Sequence, residues 1–111
     1  MIDKIFEEIR AERQRQDEKW GERNLPMLGE RLLGQGVEFP SKEVLEKQLR
    51  HCHLRCAGDD YSWFDILLEE ICEAFLENKP EKQRAEMIQV AAVAVAIIEY
   101  LDRRMGLCKY C

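Results

Sequence analysis

Residues 67–101 read LLEEICEAFLENKPEKQRAEMIQVAAVAVAIIEYL, and this stretch decides the fold. Its first part is rich in carboxylates and its second part is almost wholly apolar, and both parts have helical periodicity. A turn from Asn78 to Pro80 separates them, and proline at the first position of a helix is a start signal. Because the turn is so short, the two helices are expected to be antiparallel neighbours. The stretch therefore predicts a helical hairpin whose second helix covers about residues 81–105.

The preceding sequence predicts two more helices and the start of the hairpin's first helix. Apolar residues at helical spacing predict helix one over residues 2–19. Ser41 is a candidate N-cap for helix two, and Ser62 with Asp65 forms a capping box that opens helix three. The apolar stripe of helix two is predicted to comprise Leu45, Gln48, Leu49, Cys52 and Cys56, and that of helix three to comprise Phe64, Leu67, Leu68, Ile71 and Phe75. The fold class is therefore predicted to be all-α, with four helices.

The segment from residue 21 to residue 40 has no sustained period and contains several glycines and prolines. Such a segment predicts a long loop or lid, since loops of this length in compact domains are often functional, with disorder as the alternative. At 111 residues the chain has the size of one domain, so we expect a single domain over residues 1–111.

Charge and composition restrict the partners. The net charge of -5 and the pI near 5.1 argue against nucleic acid held by a basic surface. The start of the chain lacks the apolar core of a signal peptide, so a cytoplasmic location is expected. The apolar run from Met87 to Ile98 is twelve residues long, and a membrane span needs roughly 17 to 25. This run is predicted to be a buried core helix and not a membrane span.

Five polar residues of the hairpin form a candidate site: Glu69, Glu70 and Glu73 on its first helix, and Glu86 and Gln89 on its second. A solvated acidic face is the simpler interpretation. In an antiparallel hairpin, however, the residue numbers of two facing residues add up to a constant, the index sum. The pair Glu73 and Glu86 has the same index sum as the pair Glu70 and Gln89. Glu73 is therefore expected opposite Glu86, and Glu70 opposite Gln89. Shielded carboxylates are costly unless they are neutralised, and no basic residue of the hairpin lies at their level. Oxygen donors of this kind suit Mg²⁺ or Mn²⁺. Phosphate oxygens of a substrate then complete the coordination of the ion.

This pattern resembles a known family signature. Glu69-Glu70-x-x-Glu73, twelve intervening residues and Glu86-x-x-Gln89 are similar to the EExxE, spacer, ExxD motif of the all-α MazG-like nucleoside triphosphate pyrophosphohydrolases. The likeness to the short phage and bacterial members extends to three segments and covers most of the chain outside residues 24–60. These segments are ERQRQDEKWGE (12–22), WFDILLEEICEA (63–74) and AEMIQVAAVAVAIIEYLDR (85–103).

The resemblance implies a four-helix MazG-like bundle that is completed by oligomerisation, as a homodimer or homotetramer. It implies Mg²⁺-dependent hydrolysis of (deoxy)nucleoside triphosphates to the monophosphate and pyrophosphate. Glu70, Glu73 and Glu86 would be metal ligands. Glu69 would ligate the metal or orient and activate the attacking water, so that Glu69 and Glu73 carry the catalysis. Gln89 departs from the signature, because a neutral amide replaces the expected aspartate and makes a weaker ligand.

Four further residues are candidates for substrate binding. Trp20 could stack on a base, although a tryptophan at a helix end is more often a core residue. Lys19, Arg13 and Arg103 could meet the triphosphate, although basic residues on helices usually contact only solvent.

The cysteines allow a second kind of site. Zinc ligands are offered by helix two and by the end of the chain, if that end reaches helix two: His51, Cys52, His53 and Cys56, together with Cys108-x-x-Cys111. Cys52 and Cys56 share a face of helix two. Reduced, buried thiols are the alternative, because an odd cysteine count fits free thiols better than disulfides. The alternative function is a non-catalytic helical module that senses nucleotides or binds zinc for protein interaction, and Gln89 is its best support.

Overall fold

The computed structural model describes residues 2–25 and 41–106. Within these ranges it contains four helices and no strand: α1 (Ile2–Trp20), α2 (Lys42–Cys56), α3 (Trp63–Leu76) and α4 (Pro80–Arg104). The all-α prediction is confirmed, and all four predicted helices are present among the described residues. Most of the predicted loop, residues 26–40, lies outside the described residues, as do Cys108 and Cys111.

The described residues divide between two compact units. One unit contains α2, α3 and the part of α4 that ends at Ala94, and the other contains α1 and the part of α4 that begins at Val95. The prediction of a single domain over residues 1–111 stays a prediction. The candidate carboxylates all belong to the first of these units.

In that unit α2 and α3 pack against each other. Leu45 and Cys52 are buried on α2, and Cys72 and Ala74 are buried on α3. The predicted stripe of α2 is confirmed, because its other members, Gln48, Leu49 and Cys56, are partly buried.

A buried carboxylate fixes the corner between α2 and α3. The Asp65 side chain is only 6% exposed. It accepts hydrogen bonds from the Ser62 backbone N–H at 3.0 Å and the Ser62 hydroxyl at 3.1 Å, and it forms an ion pair with the Arg55 guanidinium. The Ser62 hydroxyl in turn accepts from the Asp65 backbone N–H, which completes the predicted capping box. One carboxylate therefore caps α3 and ties it to the end of α2.

The turn between α3 and α4 is closed by hydrogen bonds of the first turn of α4. The Gln83 side-chain amide donates to the Glu77 carbonyl at 2.6 Å, and the Gln83 backbone N–H donates to the Lys79 carbonyl at 2.8 Å. Pro80 begins α4, where its missing N–H has no cost. These contacts satisfy a carbonyl at the end of α3 and hold the start of α4 beside it.

Periodicity assigned some residues to the wrong environment. Phe64 was expected in the core of α3 but is 66% exposed, because the face of α3 that packs on α2 carries Asp65 and Cys72. The prediction that α4 is a buried helix from Met87 to Ile98 is also wrong for the single chain. Met87 is 41% exposed and Ile88 is 53% exposed, and among the described residues of α4 only Val95 is buried.

In the other unit, Ile5 is the buried residue of α1, and Gly21 ends the helix. The Gly21 backbone N–H donates to the Asp17 carbonyl at 2.7 Å, and the φ of Gly21 is 67°, a left-handed conformation that glycine adopts without strain. Among the described residues, no helix is both long enough and apolar enough to cross a membrane.

We predict that Asp65→Asn lowers the melting temperature by roughly 4–8 °C at neutral pH, because the charged partner of Arg55 is lost. Thermal unfolding followed by circular dichroism measures the change. Asp59→Asn is the matched control, since Asp59 is exposed in the turn between the same helices, and its melting temperature should stay that of the wild type.

The same pair of proteins tests the pH dependence. Hydrogen bonds from Ser62 and the ion pair with Arg55 lower the pKa of Asp65 below its ordinary 3.8. The stability that Asp65 contributes is therefore present above that value and is lost as the pH falls through the lowered pKa. The difference between wild type and Asp65→Asn should shrink in acid. A difference that persists at the acid end would contradict the ion-pair interpretation.

Candidate metal centre

Three carboxylates converge between α3 and α4. One oxygen from each of Glu70, Glu73 and Glu86 lies within 4.8 Å of the other two, and all three residues are partly buried. Glu70 and Glu73 are three residues apart and so share a face of α3. The index sum predicted that Glu73 and Glu86 face each other, and their oxygens do lie close together. The short turn between the two helices explains this, because it fixes the register of the hairpin.

Nothing in the immediate surroundings of Glu70 neutralises it. Burial raises the pKa of Glu70, and the negative charges of Glu73, Glu69 and Glu86 raise it further. Burial also raises the pKa of Glu73, as do the negative charges of Glu69 and Glu86, while the nearby His53 partly offsets these effects. The cluster is therefore an electrostatically strained group of oxygen donors, which is the environment that a divalent cation relieves.

A histidine of α2 extends this cluster. The Nε2 atom of His53 lies 3.4 Å from a Glu69 oxygen and 3.7 Å from a Glu73 oxygen. Glu73 thus belongs to two groups of converging donors, one with Glu70 and Glu86 and one with His53 and Glu69. Sequence analysis missed the contact of His53 with the carboxylates. The index-sum rule does not find it, because the pairing of Arg55 with Asp65 would place His53 opposite Leu67.

The remaining predicted ligand, Gln89, is exposed on α4. Of the predicted substrate-binding residues, Trp20 and Lys19 lie together at the end of α1. Trp20 is 48% exposed, and the Lys19 ammonium lies 4.9 Å from the centroid of its ring. Arg23, which the sequence analysis did not single out, contributes a second cation at 4.5 Å on the same ring.

The other two predicted substrate-binding residues are exposed. Arg13 donates to Gln16 at 2.7 Å and to Asp17 at 2.8 Å, so its guanidinium is already engaged within α1. Arg103 lies in the last turn of α4. An open cavity of about 620 Å³ adjoins the end of α1. Its lining residues are Arg13, Gln16, Asp17, Gly21, Glu22, Arg23 and Leu25.

The described cysteines are free thiols. Cys52 and Cys72 are fully buried, and burial raises the pKa of both. Cys56 is partly buried, and its pKa is raised by burial and then by the negative charge of Glu69. The proposed zinc site of Cys52 and Cys56 depends on Cys108 and Cys111, which lie outside the described residues.

Comparison with protein-family models, with curated proteins and with solved structures finds no match. The link to MazG-like enzymes therefore stays a resemblance of motifs.

We predict that Glu70→Gln raises the melting temperature of metal-free protein by roughly 2–4 °C at neutral pH, because it removes repulsion among like charges. Thermal unfolding in the presence of a chelator measures the change. Glu8→Gln, on the exposed surface of α1, is the control.

The direction of this change in stability follows from the raised pKa of Glu70. A carboxyl group whose pKa is higher in the folded state makes the protein less stable as the pH rises from the ordinary 4.5 through the raised value. The advantage of Glu70→Gln should therefore vanish in acid below that window. A variant that is less stable than the wild type at neutral pH without metal would show that the cluster is not strained.

Proposed function

We propose that this protein hydrolyses (deoxy)nucleoside triphosphates to the monophosphate and pyrophosphate with Mg²⁺ or Mn²⁺ as the metal. The observation that carries the proposal is the convergence of oxygens from Glu70, Glu73 and Glu86 within 4.8 Å of one another. The resemblance of these positions to the MazG-like signature supplies the reaction type. Carboxylates with magnesium-bound phosphates are a recurring arrangement for phosphoryl chemistry.

The residues fit such an ion. All three donors are hard carboxylate oxygens, and apart from burial only other carboxylates act on the pKa of Glu70. A divalent cation would therefore be held by groups that otherwise repel one another. Glu70, Glu73 and Glu86 would hold it, and its remaining coordination positions would be open to water and to substrate phosphates.

When bound, Mg²⁺ supplies neutralisation of the phosphate charge and makes water a stronger acid. The resemblance gives Glu69 its role, and the 25% exposure of its side chain leaves its carboxylate accessible to water. Its carboxylate would orient the attacking water and accept a proton from it. The water oxygen forms a bond to phosphorus, the anhydride between the α- and β-phosphates breaks, and pyrophosphate leaves.

A panel of nucleoside and deoxynucleoside triphosphates with Mg²⁺ or Mn²⁺ tests the activity by release of pyrophosphate and monophosphate. We expect Glu73→Gln and Glu86→Gln to lower kcat/KM by about 100-fold or more. Mutation of residues that only hydrogen-bond to metal ligands already lowers metal affinity or activity by about 10–100-fold. Gln89→Asp should preserve or raise the activity, because it restores an anionic ligand. Glu8→Gln is the matched surface control.

Circular dichroism should show that both inactive variants are folded. No hydrolysis of any nucleotide, or full activity in Glu73→Gln, would overturn the proposal. Nucleotide binding without hydrolysis would support the second candidate, a nucleotide sensor, which the neutral amide of Gln89 favours.

The proposal includes a homo-oligomer formed through the apolar side of α4. Its support is that Met87 and Ile88 are exposed in the single chain, 41% and 53% respectively, next to a run of alanines and valines. A surface of this kind is costly to leave in water.

We expect Ile88→Glu to lower the molar mass measured by light scattering to that of the monomer, because a charge would be buried in the interface. Leu54→Glu is the matched control, since Leu54 is 73% exposed on α2, and this variant should keep the mass of the wild type. A wild-type protein that is already monomeric would exclude the oligomer.

A further inference from the structure

The cluster contains a second set of donors with a different chemistry. His53, Glu69 and Glu73 each offer one atom, and these three atoms lie within 4.8 Å of one another. The first set of donors contains only oxygen, whereas this one includes an imidazole nitrogen. The two sets share Glu73; the first set adds Glu86 of α4 and this one adds His53 of α2.

Two distances within this set are close to those between neighbouring ligands of a single tetrahedral ion. With bonds of about 2.1 Å to nitrogen and oxygen, neighbouring ligands of tetrahedral Zn²⁺ are about 3.4 Å apart. The Nε2 atom of His53 lies 3.4 Å and 3.7 Å from the two carboxylate oxygens. Close N–H···O hydrogen bonds are shorter, at about 2.7–3.2 Å. The spacing therefore suits ligands around an ion better than it suits direct hydrogen bonds.

The set is also open to solvent. The side chains of His53, Glu69 and Glu73 are 53%, 25% and 32% exposed, so a water or a ligand oxygen can reach a fourth position. Three protein donors with one open position are typical of catalytic and not of structural zinc sites.

We propose that His53, Glu69 and Glu73 form a second cation site that selects a first-row transition ion, Zn²⁺ by its geometry, beside the oxygen-only site. The nitrogen donor gives the selectivity, because imidazole favours such ions over Mg²⁺. The inference goes beyond the proposed function and rests on it only through the shared residues Glu69 and Glu73. The second site would bring a different metal within reach of the same phosphate chain.

The test uses the untagged, ¹⁵N-labelled full chain, which is titrated with Zn²⁺ alone. Nuclear magnetic resonance follows the side-chain nitrogen chemical shifts of both histidines. We expect the Nε2 resonance of His53 to shift on binding while both nitrogens of His51 stay unchanged. His51 is exposed on the same helix and serves as the internal control. His53→Gln should weaken Zn²⁺ binding by about 100-fold or more in calorimetry, and His51→Gln should leave it unchanged.

Two further variants separate this site from the proposed function. Glu69→Gln should weaken Zn²⁺ binding as His53→Gln does, whereas Glu86→Gln should weaken it much less, since Glu86 is not one of the three donors. Zn²⁺ binding with these properties supports the second site even if no nucleotide is hydrolysed. Wild-type affinity in His53→Gln, equal shifts of both histidines or no shift of His53 would overturn it, whatever the hydrolysis assay gives.

Discussion

The ion pair of Arg55 with the buried carboxylate of Asp65 is the interaction on which the candidate site depends. Asp65 closes the first turn of α3 through Ser62 and at the same time binds the last turn of α2. It therefore fixes the register between these helices. In that register Cys52 and Cys72 fill the core, and His53 reaches Glu69 and Glu73. A buried charge that is fully paired specifies one arrangement, because any other leaves it without a partner.

The carboxylates between α3 and α4 show the opposite situation. Burial and mutual repulsion raise the pKa of Glu70 and of Glu73, and the folded chain keeps both groups close together. Sites that bind cations or perform acid–base chemistry show such strain, because the local arrangement serves a ligand and not the stability of the metal-free protein. Asp65 and Glu70, two carboxylates five residues apart on one helix, thus differ in whether the fold supplies a cation.

Periodicity predicted the helices well and their environments less well. The helix ends follow local chemistry: Ser62 caps α3, Pro80 begins α4 and Gly21 ends α1. Which face is buried depends on the neighbouring helix. Phe64 is exposed because α2 packs on the adjacent face, and Met87 is exposed because an apolar pattern does not by itself provide a partner. The same limit applies to His53, whose contacts come from α3 and not from its own helix.

The sequence alone determined the four helices, the turn between Asn78 and Pro80, and hence that Glu73 lies opposite Glu86. Each of these follows from interactions within a few residues or from the geometry of one tight turn. Only the tertiary structure decided that His53 joins the cluster and that Asp65 is buried beside Arg55. These outcomes depend on the rotation of α2 about its axis against α3, which is set by side-chain packing across the whole interface and is not encoded in any short stretch.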